Sequence, residues 1–505
     1  MLSLERISVL PVNNHLLLGL DIGTSGCKAV VFDDQGAQIV KFSRDYSLIF
    51  PRAGWMELNP GLVAESAFYC LRQCVGYCGA DEITALAVSS QGEAIIPVSA
   101  DGKPLSNAIV TFDNRNVPEH RQFSEEFEKK QIMEITGAPI HTMFSLLKIL
   151  WIKNNQPDIF ANTWKFMCFG DYISFLLGSS PAIDYSMASR TMAFDIGKKE
   201  WSSMILGRCG VPLEKMPEVV PSGAVIGQVG ESASASTGLS RSTKIVSGGH
   251  DQVCCALGAG ILESGIAMDS LGTTESILCV NSQMHVTDHM IRSNLPCYCY
   301  PVNDLYAYLG FLSSSGAILK WYVNELLGGE KKSYSQWDAE TAELCPGYSG
   351  LLLLPHFAGS GTPYLDFNSQ GVLSGLTLGT TKYQIYKGIL EGVCLEARVN
   401  IECMEGSGIS IRELHCVGGG AKSSLWLQLK ADITGKIVVG SDIDEFGCLG
   451  AAILAGIGAG HYPNANYALK NFKTVKKTYV PDFNKKSEYD AIYQEYSRMY
   501  QTDNH

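Results

Sequence analysis

The sequence predicts an α/β protein built from two large domains, and three observations predict this class. The chain has 505 residues, which exceeds one ordinary hydrophobic core, so we expect two domains or one split domain. Short apolar segments alternate with helical patterns along most of the chain, as they do in α/β proteins. A hairpin pattern near residue 23 returns near residue 272, which indicates two related halves.

Composition and charge place the chain among globular proteins and argue against several partners. Hydrophobic residues make up 46% of the chain and charged residues 18%, which is ordinary for a globular domain. The formal net charge of −12 argues against nucleic acid and against anionic membranes. The sequence contains no apolar run of the roughly 20 residues that span a bilayer and no signal-peptide pattern. We therefore expect a cytoplasmic protein without a nucleic-acid or membrane partner.

The sixteen cysteines favour the same compartment. They are scattered, with no Cys-x-x-Cys pair and no zinc-ligand spacing. Cys70, Cys74 and Cys78 lie four residues apart, on one face of a predicted helix. Because cysteine behaves as a small buried hydrophobe, this face is predicted to pack against the core and not to bind metal.

Residues 16–34 read LLLGLDIGTSGCKAVVFDD and predict two strands joined by a tight turn. The glycines of the turn allow positive φ and a close backbone approach. Asp21 ends the first strand and suits Mg²⁺, while Thr24, Ser25 and the turn's backbone N–H groups suit phosphate oxygens. A purely structural hairpin is the alternative for this stretch taken alone.

The remaining elements are predicted in order from periodicity and from glycine and proline positions. They are a third antiparallel strand at 37–48, a helix at 61–79, a strand at 83–91, a hairpin and strand at 94–115, helices over most of 118–180, a strand, Gly-Gly turn and helix at 243–262, a second hairpin at 265–280, a strand, glycine turn, helix and strand at 413–439, and a helix of small residues at 445–460.

The second half repeats the phosphate pattern and adds a glycine-rich turn. Gly272, Thr273 and Thr274 form the tip of the second hairpin, and two such hairpins across a cleft would grip a polyphosphate from both sides. The stretch VGGGAKSS joins a strand to a helix, which places backbone N–H groups beside a ligand. Three glycines used for packing alone are the alternative. Neither turn matches the dinucleotide pattern G-x-G-x-x-G.

One carboxylate stands out as a candidate base. Asp251, in SGGHDQVCC, lies at a strand-to-helix junction, where the helix N-terminus keeps it ionised and able to accept a proton. A plain N-cap is the alternative role for this residue. His250 is a candidate second base, and a hydrogen-bonded structural role is its alternative.

Polar residues also follow two predicted strands nearer the N-terminus. Gln91 and Glu93 follow one strand, and Asp113 and Arg115 follow the next. Ligands bind at the carboxyl ends of strands in open α/β sheets, so these side chains are candidates for binding substrate hydroxyls. Salt bridges within the loops are the alternative.

Taken together, these segments resemble the FGGY carbohydrate kinases of the actin-like ATPase superfamily. GLDIGTSGCKAVVFDDQG and SLGTTE are similar to the family's two phosphate motifs. The family signature is resembled by GLLLLPHFAGSGTPYLDFNSQGVLSGLTLGTT, and the adenosine motif by CVGGGAKSSLWLQLKADITGKIV. The likeness runs from about residue 16 to the C-terminal helix, with the motifs in the family's order.

The resemblance implies two ribonuclease-H-like domains, at 1–260 and 261–505, with sugar and ATP in the cleft between them. It implies Asp251 as the general base and Asp21 near Mg²⁺. The implied phosphate and adenosine contacts are Thr24, Ser25, Gly272, Thr273, Thr274, Gly419, Gly420 and Ala421. The implied sugar contacts are Gln91, Glu93, Asp113, Asp251 and Gln252.

The sugar segment departs from both best-known branches of the family. Xylulose kinases have Gln-Met-His-Gly where this chain has Gln91 to Ala94, and glycerol kinases have Gln-Arg-Glu there. The stretches GWMELNP and HTMFSLLKILWI resemble the pentulose kinases more closely. A small ketose, with a pentulose such as xylulose first, is therefore the expected acceptor, and a glycerol- or erythritol-type polyol is the alternative. A non-kinase actin-like ATPase or a sugar sensor is the further alternative. The sequence allows a homodimer without requiring one.

Overall fold

A computed structural model describes residues 15–302, 304–366, 368–472 and 476–502 of the chain. The segment that precedes the first predicted strand, residues 1–14, lies outside the described residues. Two mixed sheets dominate the structure, one with six strands and one with seven. All strands of the first sheet precede residue 251 and all strands of the second follow residue 264. The predicted domain boundary at 260 lies between the two sheets, and its exact position stays a prediction.

The strands of the first half are β1 (Leu16–Ile22), β2 (Gly26–Phe32), β3 (Gln38–Asp45), β4 (Glu57–Leu58), β5 (Ile83–Ser90), β6 (Ile96–Val98), β7 (Ala108–Ile109), β8 (Lys165–Met167), β9 (Ala182–Asp184), β10 (Phe194–Asp195), β11 (Glu200–Trp201), β12 (Glu218–Val220), β13 (Val225–Gln228) and β14 (Lys244–His250). Its helices are α1 (Pro60–Cys78), α2 (Val117–Glu126), α3 (Lys129–Thr136), α4 (Ser145–Asn155), α5 (Pro157–Asn162), α6 (Phe169–Leu177), α7 (Tyr185–Ser189), α8 (Ser203–Cys209), α9 (Glu231–Thr237) and α10 (Asp251–Gly258).

The strands of the second half are β15 (Gly265–Leu271), β16 (Glu275–Asn281), β17 (Cys297–Cys299), β18 (Tyr306–Leu312), β19 (Leu352–Leu354), β20 (Val372–Ser374), β21 (Ile411–Val417), β22 (Ile437–Ser441) and β23 (Lys476–Tyr479). Its helices are α11 (Asp288–Arg292), α12 (Gly316–Trp321), α13 (Tyr334–Leu344), α14 (Lys382–Gly406), α15 (Ser424–Thr434), α16 (Phe446–Ala459), α17 (Ala465–Asn471) and α18 (Lys486–Thr502).

The two sheets share one core topology. In the first sheet, β3, β2 and β1 are antiparallel neighbours, and β5 and β14 then continue in parallel to β1. In the second, β18, β16 and β15 are antiparallel and β21 and β22 continue in parallel. This shared order confirms the predicted ribonuclease-H-like domains and their relation.

The helix of small residues, α16, packs the second half of the chain against the first. It contacts β1, β5, β14 and α10. Close approach explains its glycines, because a Cβ on Gly450 would overlap the carbonyl group of Cys254. A Cβ on Gly19 of β1 would likewise overlap the carbonyl group of Cys448. The small side chains of α16 therefore allow it to pack closely against both α10, which carries the candidate base, and β1, which leads into the first hairpin.

The predicted Gly-Gly turn is wrong. Gly248 and Gly249 lie within β14, which ends at His250, and a Cβ on Gly248 would overlap the carbonyl group of Val88. The predicted hairpin in 94–115 is present, because Ser99 N–H donates to the Lys103 carbonyl at 2.9 Å and antiparallel bridges join Ile95 to Ile109 and Val98 to Pro104. The sequence did not predict that β6 also pairs with β8 and β7 with β4, because these partners lie far away along the chain.

The prediction that the cysteine face of α1 packs against the core is confirmed. Cys70, Cys74 and Cys78 are buried in a hydrophobic cluster beneath the first sheet. Every cysteine among the described residues is a free thiol. Within the same residues, no helix is both long enough and apolar enough to cross a membrane.

Candidate active site

The first hairpin turns through Thr24 and Ser25. Gly23 N–H donates to the Gly26 carbonyl at 2.9 Å, and the hydroxyl of Tyr46 donates to the carbonyls of Gly23 and Gly26 at 2.7 and 3.1 Å. Neither glycine has positive φ, so that part of the prediction is wrong, whereas the predicted close approach is present at Gly26, where a Cβ would lie 3.1 Å from the Arg44 carbonyl oxygen. Within the described residues, the backbone N–H groups of Thr24 and Ser25 have no protein acceptor, which leaves two donors for an anion.

Gln91 supports this hairpin. Its side-chain amide donates to the Gly23 carbonyl at 3.1 Å, and its side-chain oxygen lies 3.4 Å from the Thr24 hydroxyl. Its backbone N–H bonds to the Ile22 carbonyl at 2.8 Å. The structure therefore ties Gln91 to the phosphate hairpin, although the sequence placed it among the sugar contacts.

Asp21 lies at the end of β1, half-buried beside the hairpin. The hydroxyl of Ser89, its partner across to β5, donates to one carboxylate oxygen at 2.6 Å. Among the described residues, no hydrogen-bond donor reaches the other oxygen. Burial raises the pKa of Asp21, so a cation beside this carboxylate would favour its ionised form.

Asp251 is the first residue of α10, and His250 occupies the N-cap position, so the alternative of a plain N-cap for Asp251 is wrong. His250 Nε2 lies 3.1 Å from Asp251 Oδ1. Burial, followed by the carboxylates of Asp21 and Glu93, raises the pKa of Asp251 to about 7. Burial and the charge of Arg190 lower the pKa of His250 well below its usual value. The imidazole is therefore neutral at pH 7.

Glu93 is buried, and its charge is one of those that raise the pKa of Asp251. It has a left-handed backbone, with φ of 60°, which is uncommon for a side chain of its size. One carboxylate oxygen pairs with the guanidinium of Arg190, and the other accepts from the Thr111 hydroxyl at 3.1 Å. Each oxygen keeps one lone pair for a further donor.

Arg190 was not predicted as a site residue, yet it connects both halves of the chain here. It lies at the C-terminal end of α7, and its guanidinium bonds to the hydroxyl of Tyr298 on β17 as well as to Glu93. The guanidinium carbon also lies 4.4 Å from the centre of the Tyr298 ring. A lone arginine in a helical stretch carries no sequence signal for such a contact.

Asp113 does not share this arrangement. Arg115 donates three hydrogen bonds to its carboxylate, at 2.8 to 2.9 Å, and the Met56 N–H donates a fourth at 2.6 Å. Four donors saturate the lone pairs of a carboxylate. The prediction of Asp113 as a sugar contact is therefore replaced by its alternative, a salt bridge that shapes the loop.

Gln252 follows the candidate base on α10. Its side-chain oxygen is buried and, within the described residues, accepts no hydrogen bond. A buried acceptor without a donor is costly unless a ligand or water supplies one. The structure thus keeps Gln252 among the candidate sugar contacts, together with Glu93 and Asp251.

The second hairpin turns through Gly272, Thr273 and Thr274 and is exposed at its tip. Gly316 N–H donates to the Gly272 carbonyl at 3.0 Å, and Ser315 N–H donates to the Thr273 carbonyl at 3.0 Å. In a trans peptide the N–H points opposite to the C=O, so the N–H groups of Thr273 and Thr274 point away from these donors. Neither N–H has a protein acceptor within the described residues.

The glycine-rich turn beside this hairpin combines packing with an open surface. A Cβ on Gly418 or Gly420 would crowd Leu271, at 2.9 Å from its carbonyl oxygen and 2.7 Å from its Cβ respectively, whereas a Cβ on Gly419 would meet nothing within 4 Å. The packing alternative therefore explains Gly418 and Gly420, and Gly419 faces open space. Ala421 packs in the hydrophobic core and is not among the residues that line the neighbouring cavity, so its contact with adenosine stays a prediction.

A cavity of about 850 Å³ lies between this turn, the second hairpin and α12. Its lining includes the predicted Gly272, Thr273, Gly419 and Gly420. Sequence reasoning missed most of the remaining lining, because those residues come from α12, the helical turn at Tyr322–Leu326 that follows it, α13 and α14, which carry no phosphate or adenosine motif. Among them are Ala317, Lys320, Trp321, Asn324, Tyr334, Asp338 and Tyr386.

Comparison with known proteins agrees with this arrangement. The model of the N-terminal domain of the FGGY family of carbohydrate kinases matches residues 16–258. The model of the family's C-terminal domain matches residues 267–459. The two matches cover the hairpins, Asp251 and the glycine-rich turn.

Proteins that are similar along most of the chain are also sugar or glycerol kinases. A xylulose kinase of Bacillus subtilis is 28% identical over 96% of each chain. The glycerol kinase 2 of Thermotoga maritima is 31% identical over 88% of this chain and 90% of its own. The crystal structure of a xyloylose kinase from Brucella ovis superposes with a TM-score of 0.88 and 26% identity, over 97% of this chain and 99% of that one. The chain belongs to the FGGY family of carbohydrate kinases and is an ATP-dependent sugar kinase.

Proposed function

We propose that this kinase transfers the γ-phosphate of ATP to a hydroxyl of a small ketose, a pentulose such as xylulose. The main support for this reaction is the environment of Asp251. This carboxyl group has a pKa of about 7 and lies near the buried acceptors of Glu93 and Gln252 and near the first phosphate hairpin. The choice of a pentulose is supported by the whole-chain similarity to xylulose kinases.

ATP would span the two hairpins. Its adenosine fits the cavity of about 850 Å³, which offers aromatic faces from Trp321 and Tyr334 and the open backbone of Gly419. Its phosphates would accept hydrogen bonds from the unpaired N–H groups of the two hairpins, at Thr24 and Ser25 and at Thr273 and Thr274. Paired N–H groups of this kind form anion-binding concavities in proteins.

Asp21 would hold Mg²⁺. A hard oxygen ligand with one unpartnered oxygen suits this ion, which binds one or two carboxylates and completes its shell with phosphates and water. The bound ion would neutralise phosphate charge during transfer.

Asp251 would act as the general base. The attacking hydroxyl passes its proton to the carboxylate, its oxygen forms the new bond to the γ-phosphorus, and the bond to the ADP oxygen breaks. His250 is neutral and its Nε2 faces Asp251 Oδ1 at 3.1 Å, so it can donate a hydrogen bond that holds the carboxylate. Phosphoryl transfer needs such positioning more than covalent catalysis.

The sugar would bind between Glu93, Gln252 and Asp251. The free lone pairs of Glu93 and the unpartnered oxygen of Gln252 are acceptors for hydroxyl donors. Arg190 already neutralises Glu93, so the pocket suits an uncharged polyhydroxy compound. Sites that bond substrate hydroxyls discriminate strongly, because a missing hydroxyl leaves buried polar groups unpaired.

A panel of acceptors tests the substrate. Purified protein with MgATP is offered xylulose, ribulose, fructose, glycerol, erythritol and gluconate, and phosphorylated products are identified by mass spectrometry. We expect the highest kcat/KM with a pentulose. A preference for glycerol or erythritol would replace the pentulose with the polyol alternative, and equal ATP hydrolysis with and without every acceptor would contradict the kinase reaction.

A further inference from the structure

A completely buried charge cluster lies directly beneath the second phosphate hairpin. The ammonium group of Lys430 is 2.6 Å from Asp269 Oδ2 and 2.5 Å from Glu275 Oε1. None of the three side chains is exposed to solvent. Burying charged groups is costly, and well-packed apolar side chains of similar volume often give the same stability or more. The cluster therefore calls for a reason beyond stability.

The first link runs from the cluster to the phosphate loop. Glu275 faces Leu271 in the strand register, so the two residues close the base of the hairpin. The other carboxylate oxygen of Glu275 accepts from the Ser315 hydroxyl at 3.0 Å. Ser315 N–H, in turn, bonds to the Thr273 carbonyl at 3.0 Å. Ser315 thus connects the buried cluster to the peptide that turns the Thr274 N–H outward.

The second link runs from the cluster to the glycine-rich turn. Lys430 belongs to α15, the helix that begins at Ser424 directly after this turn. A Cβ on Gly420 would lie 2.7 Å from the Cβ of Leu271, so the turn and the base of the hairpin are already in close contact. Lys430 crosses the same boundary with its ion pairs. The cluster therefore joins the two backbone segments that line the cavity.

Electrostatic interactions couple the groups of the cluster. Burial, followed by the charge of Asp269, raises the pKa of Glu275 to about 8, and Lys430 opposes this rise. Burial alone would lower the pKa of Lys430, but the two carboxylates outweigh it and raise the pKa. The two carboxyl groups therefore hold Lys430 in its charged form.

We infer that Lys430, Asp269 and Glu275 are positioning residues for the nucleotide, which fix the second phosphate hairpin against the glycine-rich turn. The inference rests on the proposed binding of ATP in the adjoining cavity. The cluster touches neither the sugar contacts nor Asp251, so its loss should weaken nucleotide binding selectively. Misplacing a positioning group by about 1 Å can cost up to about 10²-fold.

Glu275 provides the first test. Glu275→Ala removes the contacts to Lys430 and Ser315, and we expect the KM for MgATP to rise by between about tenfold and 10²-fold, with the KM for the sugar unchanged. Glu275→Gln keeps a side-chain oxygen as the acceptor for Lys430, and its amide N–H can donate to the Ser315 hydroxyl in place of the bond that Ser315 donates in the wild type, so it should restore the wild-type KM for MgATP. Equal KM values for MgATP in the Ala variant and wild type would overturn the inference, as would a proportional rise in both KM values.

Lys430 requires a second design, because Lys430→Met leaves buried carboxylates and risks unfolding. The double variant Lys430→Met with Asp269→Asn removes the charged pair together and should raise the KM for MgATP as Glu275→Ala does. The matched control is Asp432→Asn on the same helix, which breaks the ion pair of Asp432 with Lys485 at 3.0 Å. The control should change melting temperature without changing the KM for MgATP; an equal KM rise in control and double variant would overturn the inference.

A separate variant tests the binding site itself. Gly419→Leu places a side chain into open space and should block binding of ATP in the cavity, measured by calorimetry with MgATP. If Gly419→Leu binds MgATP like the wild type, the proposed nucleotide site fails and the inference fails with it. If Gly419→Leu weakens binding but Glu275→Ala does not, the inference alone is contradicted.

Discussion

The imidazole of His250 fills the space that a side chain at residue 92 would occupy. A Cβ on Gly92 would lie 2.9 Å from His250 Cδ2, which is closer than real Cβ contacts. The same imidazole reaches Asp251 Oδ1 at 3.1 Å through Nε2. The sugar segment between Gln91 and Glu93 and the candidate base are therefore coupled by steric contact.

This contact predicts a non-additive pair of substitutions. Gly92→Ala should destabilise the protein, because overpacking a filled core costs about 1–3 kcal/mol. His250→Ala makes room, so Gly92→Ala added to His250→Ala should cost little. Thermal melts of both single variants and the double variant measure the coupling. Additive losses of stability would contradict the steric contact.

The pH dependence should follow Asp251. A base must be ionised, and burial raises the pKa of this carboxyl to about 7, so kcat/KM should fall about tenfold per pH unit well below 7. A folded-state pKa above the unfolded value contributes stability below the unfolded pKa of about 3.8, and that contribution is lost as pH rises through about 7. Asp251→Asn should therefore melt no lower than wild type at pH 8. A pH-independent kcat/KM between pH 5.5 and 8 would contradict Asp251 as the base.

Asp21→Ala separates a metal site from a structural hairpin. A carboxylate that faces Mg²⁺ contributes charge and little packing, so the variant should keep a near-normal melting temperature and lose most MgATP-dependent turnover. Ser89→Ala is the matched control, because it removes the hydrogen bond to Asp21 at 2.6 Å and leaves the carboxylate. A lower melting temperature with normal turnover per folded molecule would instead support the structural alternative.

Glu93 should set sugar affinity and not nucleotide affinity. Glu93→Ala would leave the buried charge of Arg190 without its carboxylate partner, so the conservative Glu93→Gln is the better probe. The amide keeps the size of the side chain but loses the charge and one acceptor. We expect a KM for the sugar raised by about 10- to 100-fold, corresponding to a lost hydrogen bond to a charged group, and an unchanged KM for ATP. An unchanged KM for the sugar and an unchanged ranking of sugars would place the sugar elsewhere.

The sequence predicted the features that depend on local chemistry. Both hairpins, the glycine-rich turn and the junction at Asp251 combine short apolar strands with small or polar residues, and each pattern is readable within about ten residues. The repeated hairpin also predicted the two related sheets. The roles of individual residues, such as Asp251 as the general base and Asp21 beside Mg²⁺, came from the family resemblance and not from the local patterns.

The sequence could not supply partners that are distant along the chain. Glu93 meets Arg190, Arg190 meets Tyr298, and Lys430 meets Glu275 across 155 residues, and no periodicity encodes such pairs. Asp113 is a different case, because its partner Arg115 is only two residues away. There the sequence left a salt bridge and a sugar contact both open, and only the four donors around the carboxylate decided between them.

The most direct test of the kinase reaction is the ratio of ADP to sugar phosphate, measured with the best acceptor of the panel in wild type and in Asp251→Asn. We predict one ADP for each sugar phosphate in the wild type and almost no ADP without sugar. Asp251→Asn should bind MgATP and sugar but lower kcat by about 10²–10⁴-fold, the usual contribution of a positioned general base. ADP formation that is independent of sugar, or near-normal sugar phosphate formation by folded Asp251→Asn, would contradict the account.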